Sequence, residues 1–188
     1  MEDVRTCALC PRMCLSRRVL SDFNGNWKAE VLFLAEAPGR LGAEKTGIPL
    51  FGDRTGDRFE ELLKLMRFSR ADVFISNAIL CNPRDDDGNN DSPAIEEIRN
   101  CSPFLKRTIE TVSPKVVVAL GRIALNALAL ISPHRLDLKG SVGTISTWNR
   151  CKLGVLYHPG PRAAVHRPWE TQLKDATKLA AAIRRFLI

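Results

Sequence analysis

Three polar side chains each follow an apolar, β-branched run in this chain. Glu36 follows Val31 to Ala35, Asn77 follows Val73 to Ser76, and His158 follows Leu153 to Tyr157. A carboxylate can orient water, an amide can donate and accept at once, and an imidazole can donate a hydrogen bond to a developing negative charge. Each also has an ordinary reading on its own: a solvated loop carboxylate, a turn cap and a surface histidine. Their shared position is what raises them together. In open parallel sheets, ligands bind outside the carboxyl ends of the strands.

A second set of reactive groups is the six cysteines. Cys7-Ala8-Leu9-Cys10 is a C-x-x-C pair, Cys81 follows the second apolar run, and Cys101 lies on an apolar helical stripe. Two close thiolates and two distant ones can complete a tetrahedral set around zinc or an iron–sulfur cluster, and spacing does not separate the two. Buried apolar thiols are the alternative for Cys81 and Cys101. Cys14 is near enough to Cys10 to be a rival ligand, while Cys151 begins a strand and is expected in the core.

The elements that must carry these groups are legible. The runs Val31–Ala35, Val73–Ser76, Val116–Leu120 and Leu153–Tyr157 are apolar throughout, which marks strands buried on both faces of a parallel sheet. A helical pattern follows each: Phe59, Leu62, Leu63 and Met66; then Ile95, Ile98, Cys101, Leu105, Ile109 and Val112; then an Ala/Leu-rich stretch from Gly121 to Pro133; then Trp169, Leu173, Ala176, Ala180, Ile183 and Leu187. Ser92-Pro93 offers the second helix an N-cap with proline at its first position. The expected fold is a three-layer α/β/α sandwich with a central four-stranded parallel sheet. It forms one domain over residues 1–188, with an N-terminal cysteine-bearing segment, 1–28, contributing to a metal site.

Composition narrows the class of partner. The 188 residues carry 28 Lys+Arg against 21 Asp+Glu, a net charge of +7, and the pI is about 9.3. Such a surface draws polyanions. With 45% hydrophobic and 26% charged residues, disorder throughout is excluded. No apolar run approaches the roughly 18 residues of a membrane helix. The start, Met1-Glu2-Asp3-Val4-Arg5, lacks the features of a secretory signal. A cytoplasmic monomer without membrane association is expected.

An ordered series of motifs resembles the uracil-DNA glycosylase superfamily, in particular its iron–sulfur-containing family-4 and family-5 branches. These motifs are Cys7-x-x-Cys10, Glu36-Ala37-Pro38-Gly39, Thr46-Gly47-Ile48-Pro49, Gly52-Asp53-Arg54-Thr55-Gly56, Ser76-Asn77, Cys81 with Pro83, Glu97 to Cys101, Ala119-Leu120-Gly121-Arg122 and His158-Pro159. The series runs from Cys7 to about Arg162. The resemblance implies a monofunctional glycosylase that flips a deaminated base, uracil first, out of DNA and hydrolyses its glycosidic bond, initiating base excision repair. It implies a 4Fe-4S cluster on Cys7, Cys10, Cys81 and Cys101, with zinc as the alternative.

By the same resemblance, Asn77 reads the base and His158 donates to uracil O2. Backbone around Ala37 and Gly39 assists, although Pro38 offers no N–H. Ala37 stands where other branches carry a water-activating Asp or Asn, so another carboxylate must orient water: Asp53, as in family 5, or Glu36, as in family 4. Asp53 also suits a helix N-cap. The stacking aromatic aligns with Leu50, so either the neighbouring Phe51 takes that role or the pocket has an aliphatic wall. Arg54, Gly160, Arg162 and Arg167 are expected to grip DNA, with Arg162 filling the gap left by the flipped base. No lysine stands at the strand-end loops to support lyase chemistry. The loop between Cys81 and Cys101 is longer than family 4 usually shows, and Asp85-Asp86-Asp87 within it is expected to be a solvated turn. Two alternatives remain open: a glycosylase for hypoxanthine or xanthine, and a catalytically weak iron–sulfur module that only binds DNA.

Overall fold

All four apolar runs are strands with both faces covered. The computed structural model describes residues 2–187, so Met1 and Ile188, the ends of the expected domain, lie outside the described residues. The strands are β1 (Val31–Ala35), β2 (Val73–Asn77), β3 (Val116–Leu120), β4 (Ile145–Trp148) and β5 (Cys151–Leu156). The helices are α1 (Glu2–Arg5), α2 (Ala43–Thr46), α3 (Arg54–Met66), α4 (Ile95–Val112), α5 (Arg122–Ile131), α6 (Leu138–Ser141), α7 (Pro161–Ala164) and α8 (Trp169–Leu187). The sheet order is β2-β1-β3-β5-β4, and β2, β1, β3 and β5 run parallel.

Alternation along the strands feeds two cores. Leu32 and Leu34 turn to one side, where Ile98, Leu105 and Ile109 of α4 and Leu125 and Leu128 of α5 meet them. Val31, Phe33 and Ala35 turn to the other side, against Phe59, Leu62, Leu63 and Met66 of α3 and Ala176, Leu179 and Ile183 of α8. The Phe33 and Phe59 rings meet edge to face at 5.4 Å. Each fully buried large side chain contributes about 1.5–3 kcal/mol. The three layers expected from the pattern are therefore present.

The sheet has a fifth strand beyond the four expected. β4 runs antiparallel to β5, pairing Trp148 with Cys151 across a two-residue turn at Asn149 and Arg150. Both turn residues have positive φ, +40° and +68°, without the glycine that usually announces such a hairpin. On the opposite edge, the segment before β1 covers β2: Gly25 bridges Phe74, and the Asn24 amide donates to the Ile75 carbonyl at 2.7 Å.

The start of α4 also differs from expectation. The helix begins at Ile95, not at Pro93, and Glu97 accepts the Ala94 backbone N–H at 2.8 Å. Glu97 is simultaneously held by Arg12, which fixes where the helix starts. Ile95 falls off the buried stripe and is 45% exposed. Among the described residues, no helix is long and apolar enough to cross a membrane.

Candidate active site

The carboxyl ends of β1, β3 and β5 open into one cleft. Glu36, Ala37, Pro38 and Gly39 line it from β1, Arg122 from the end of β3, and His158, Gly160 and Arg162 from the loop after β5. Asp53 and Thr55 enter from the start of α3, and Leu50 from the loop before it. Gly121, at φ +94°, lets β3 approach this loop: a Cβ there would lie 3.3 Å from that of His158.

His158 has a defined chemical state. Its Nδ1 accepts the Gly160 backbone N–H at 3.0 Å. A backbone amide can only donate, so the proton of the neutral ring sits on Nε2. Burial pushes the imidazole's pKa down to about 4, against the upward pull of the Asp53 carboxylate. Near neutral pH the ring is therefore an uncharged donor.

Asn77 ends β2, paired in register with Ala35 on the neighbouring β1. It is 2% exposed and does not line the open cleft, and among the described residues its Nδ2 has no hydrogen-bond partner. An unpaired buried amide costs about 1–3 kcal/mol, and native proteins keep few of them. Three interstrand steps of about 4.8 Å separate the β2 and β5 ends, on the order of 14 Å between backbones.

The two candidate carboxylates hold different positions. Asp53 is the N-cap of α3, with Oδ1 accepting the Gly56 N–H at 2.9 Å. Its Oδ2 lies against Gly39 and Gly42, where a Cβ on Gly42 would come within 2.5 Å of it. Glu36 has no capping duty. Burial raises its pKa, Arg162 and Arg122 lower it, and Asp91 raises it again.

Leu50 forms part of the cleft wall, while Phe51 does not line it. Phe51 is 43% exposed and lies with its ring under the Arg70 guanidinium. Arg54 and Arg162 are both exposed; Arg162 lines the cleft and Arg54 does not. Arg167, the other arginine expected to grip DNA, has partners within the fold. Its guanidinium is bound to both oxygens of Asp175 and stacks on Tyr157 at 5.6 Å, so it braces the loop after β5 against α8.

A fourth wall of the cleft, which no motif marks, is made of Asn82, Asn90, Asp91 and Ser92. Asp85, Asp86 and Asp87 are exposed as expected, but the same loop folds back, bridging Arg84 to Asn90. Arg12 holds it there by donating to Asp91 at 2.7 Å, Ser92 O at 3.0 Å and Glu97. The only signal in the sequence is the Asn and Asp content of this loop, which reads equally as solvated turn.

The four expected cysteines come together. Cys7, Cys10, Cys81 and Cys101 line one small apolar cavity with Leu9, Met13, Ile79 and Asn100. Cys14 is exposed and outside that lining, and Cys151 is buried at the start of β5. Burial pushes the Cys81 thiol up to about 11 and Cys101 up to about 12. Arg18 donates to the Cys7 carbonyl, and its charge opposes the shift at Cys81. Among the described residues, no three His, Cys, Asp or Glu side chains converge as a single metal ion requires. The donor set is thus four thiols spread around an apolar hole.

Comparison with known proteins shows the family of the chain. A family model described as the uracil DNA glycosylase superfamily matches residues 23–184. A type-4 uracil-DNA glycosylase from Saccharolobus solfataricus is 34% identical over 171 residues, covering 89% of this chain and 76% of that protein. One from Archaeoglobus fulgidus is 36% identical over 149 residues, covering 77% and 71%. A type-5 uracil-DNA glycosylase from Pyrobaculum aerophilum is 27% identical over 184 residues, covering 82% and 78%.

Proposed function

The chain belongs to the uracil-DNA glycosylase superfamily, and from that premise we propose that it removes uracil from DNA by hydrolysis of the N-glycosidic bond, the first step of base excision repair. The observation that carries this reading is that two hydrogen-bond donors stand at strand ends of one sheet: the Asn77 Nδ2, without a partner among the described residues, and the neutral, Nε2-protonated His158.

Uracil presents O4 and N3–H to one side and O2 to another. Asn77 donates from Nδ2 to O4 and accepts N3–H at Oδ1, which gives the buried amide the partner it lacks. As the bond to the sugar breaks, the base takes up negative charge on O2, and the His158 Nε2–H donates to it. A neutral donor already oriented by Gly160 needs no reorganisation at that moment. The sugar becomes oxocarbenium-like, and water adds to it. Glu36, free of capping duty in the cleft, orients that water, while Asp53 holds α3 and the Gly39–Gly42 loop in place. Arg54 and Arg162 contact phosphates, and Gly160 backbone lines the path of the flipped nucleotide.

Cys7, Cys10, Cys81 and Cys101 would hold a 4Fe-4S cluster. Four thiols around an apolar cavity, none grouped tightly enough for a lone ion, suit a cluster better than zinc. When bound, such a cluster would cross-link the N-terminal segment to α4 and the loop after β2.

Leu50 in the cleft wall favours a second substrate reading, since an aliphatic wall packs larger deaminated bases with less discrimination than an aromatic face. Single-turnover release from oligonucleotides carrying uracil, hypoxanthine or xanthine decides. Uracil as the best substrate supports the main reading, a purine lesion as the best supports the second, and tight DNA binding with no released base refutes both.

A further inference from the structure

Leu50 sits in the cleft wall with a backbone that leucine avoids, φ +49°. A left-handed conformation in a non-glycine residue persists only where surrounding contacts over-determine it. The contacts here come chiefly from one side chain. Arg70 donates from one guanidinium nitrogen to the Pro49 carbonyl at 2.9 Å and from the other to the Leu50 carbonyl at 2.6 Å. Its Nε is held by Glu60 of α3, and its plane lies over the rings of Phe51 at 5.5 Å and Phe59 at 5.8 Å. From the other side, α3 presses Gly56 against the same backbone: a Cβ there would lie 2.8 Å from the Phe51 Cα and 2.9 Å from the Leu50 carbonyl oxygen. Residues 50–51 are thus fixed between a fork and a helix turn.

We propose that Arg70 is a positioning residue for base choice: by gripping two successive carbonyls it locks Leu50 in its strained conformation and sets the wall against which the flipped base packs. This deepens the glycosylase reading and rests on it. Arginine suits the task because its planar fork can bond two carbonyls at once while stacking on an aromatic face, which lysine's point charge cannot do. The clamp also explains why Phe51 stays out of the cleft. Its ring is held over the guanidinium, on the outer side of the segment whose inner side presents Leu50.

The test is a double-mutant cycle in the full-length, metal-loaded protein, comparing wild type, Arg70→Lys, Leu50→Gly and the double variant. Single-turnover kcat and KM are measured for uracil and hypoxanthine oligonucleotides, with hydrogen exchange across residues 48–52. Arg70→Lys is expected to change the uracil-to-hypoxanthine ratio by about tenfold, within the range one wall group can supply. It should also lower protection at 48–52. In the Leu50→Gly background, Arg70→Lys should leave that ratio unchanged, because glycine needs no clamp. Equal change for both substrates, an undiminished effect in the Leu50→Gly background, or unaltered exchange at 48–52 would overturn the proposal. A wild-type protein that releases neither base would instead refute the reading of the pocket, and the exchange measurement would then decide the clamp alone.

Discussion

The Arg12 guanidinium closes on the Glu97 carboxylate through two bonds, Nε to Oε1 at 2.6 Å and the second nitrogen to Oε2 at 2.7 Å. Arg12 lies two residues after Cys10, and Glu97 lies one helical turn before Cys101. The pair therefore joins the same two segments that the cysteine cavity joins, and it extends to Asp91 and Ser92 in the cleft wall. Arg12→Ala is expected to cost about 1–2 kcal/mol, since charge-assisted bonds exceed neutral ones but the Arg12 side chain is 34% exposed. Urea unfolding measures that cost. Hydrogen exchange should rise in residues 83–94 while the β-sheet stays protected.

His158 makes stability and activity depend on acid in a defined direction. Its folded pKa, about 4, lies below the ordinary value near 6.5, so between those values the unfolded chain binds the proton more readily. Its contribution to stability is complete above about pH 6.5 and is lost as pH falls toward about 4. Base release by the folded protein should weaken only as pH nears about 4, where the ring itself is protonated and a hydrogen on Nδ1 meets the Gly160 N–H. NMR titration of the imidazole should give a midpoint near 4 and an Nε2-protonated neutral form. A midpoint near 6.5 contradicts this assignment.

Gly160 separates positioning from folding. Its φ of −62° suits any residue, yet a Cβ there would lie 2.8 Å from the His158 Nδ1. Gly160→Ala is therefore expected to displace the imidazole and lower single-turnover release by about 100-fold, as a misplacement near 1 Å can. Thermal stability should stay within a few degrees of wild type. Comparable losses of stability and activity would make Gly160 a structural residue only.

The cysteine cavity predicts a composition. Purified protein should contain about four iron and four sulfide, with Cys81→Ser and Cys101→Ser each lowering the iron content and loosening residues 7–14 and 81–101 in hydrogen exchange. One zinc per chain and no sulfide would contradict the cluster.

How far this was legible in the sequence follows from the range of each interaction. The parallel strands were readable because burial on both faces leaves runs such as Val116–Leu120 with no polar residue. The strand-end residues were readable because strand polarity alone brings them to one edge. β4 was not, since Ile145-Ser146-Thr147-Trp148 is short and half-buried and its turn, Asn149-Arg150, lacks glycine. The pairing of Arg167 with Asp175 was not readable either, since Asp175 is one of many acidic residues it could have met. Arg70 and Arg12 carried no local signal at all: their partners lie about 20 and 80 residues away, and only the fold selects them.

A base held between the Asn77 and His158 strand ends makes uracil release depend on both, which single-turnover assays of wild type, Asn77→Ala and His158→Ala measure. Both variants are expected to stay folded, and each should release uracil at least 100-fold more slowly, in line with removal of a single preorganised donor. Uracil release at the wild-type rate by both variants would contradict the account.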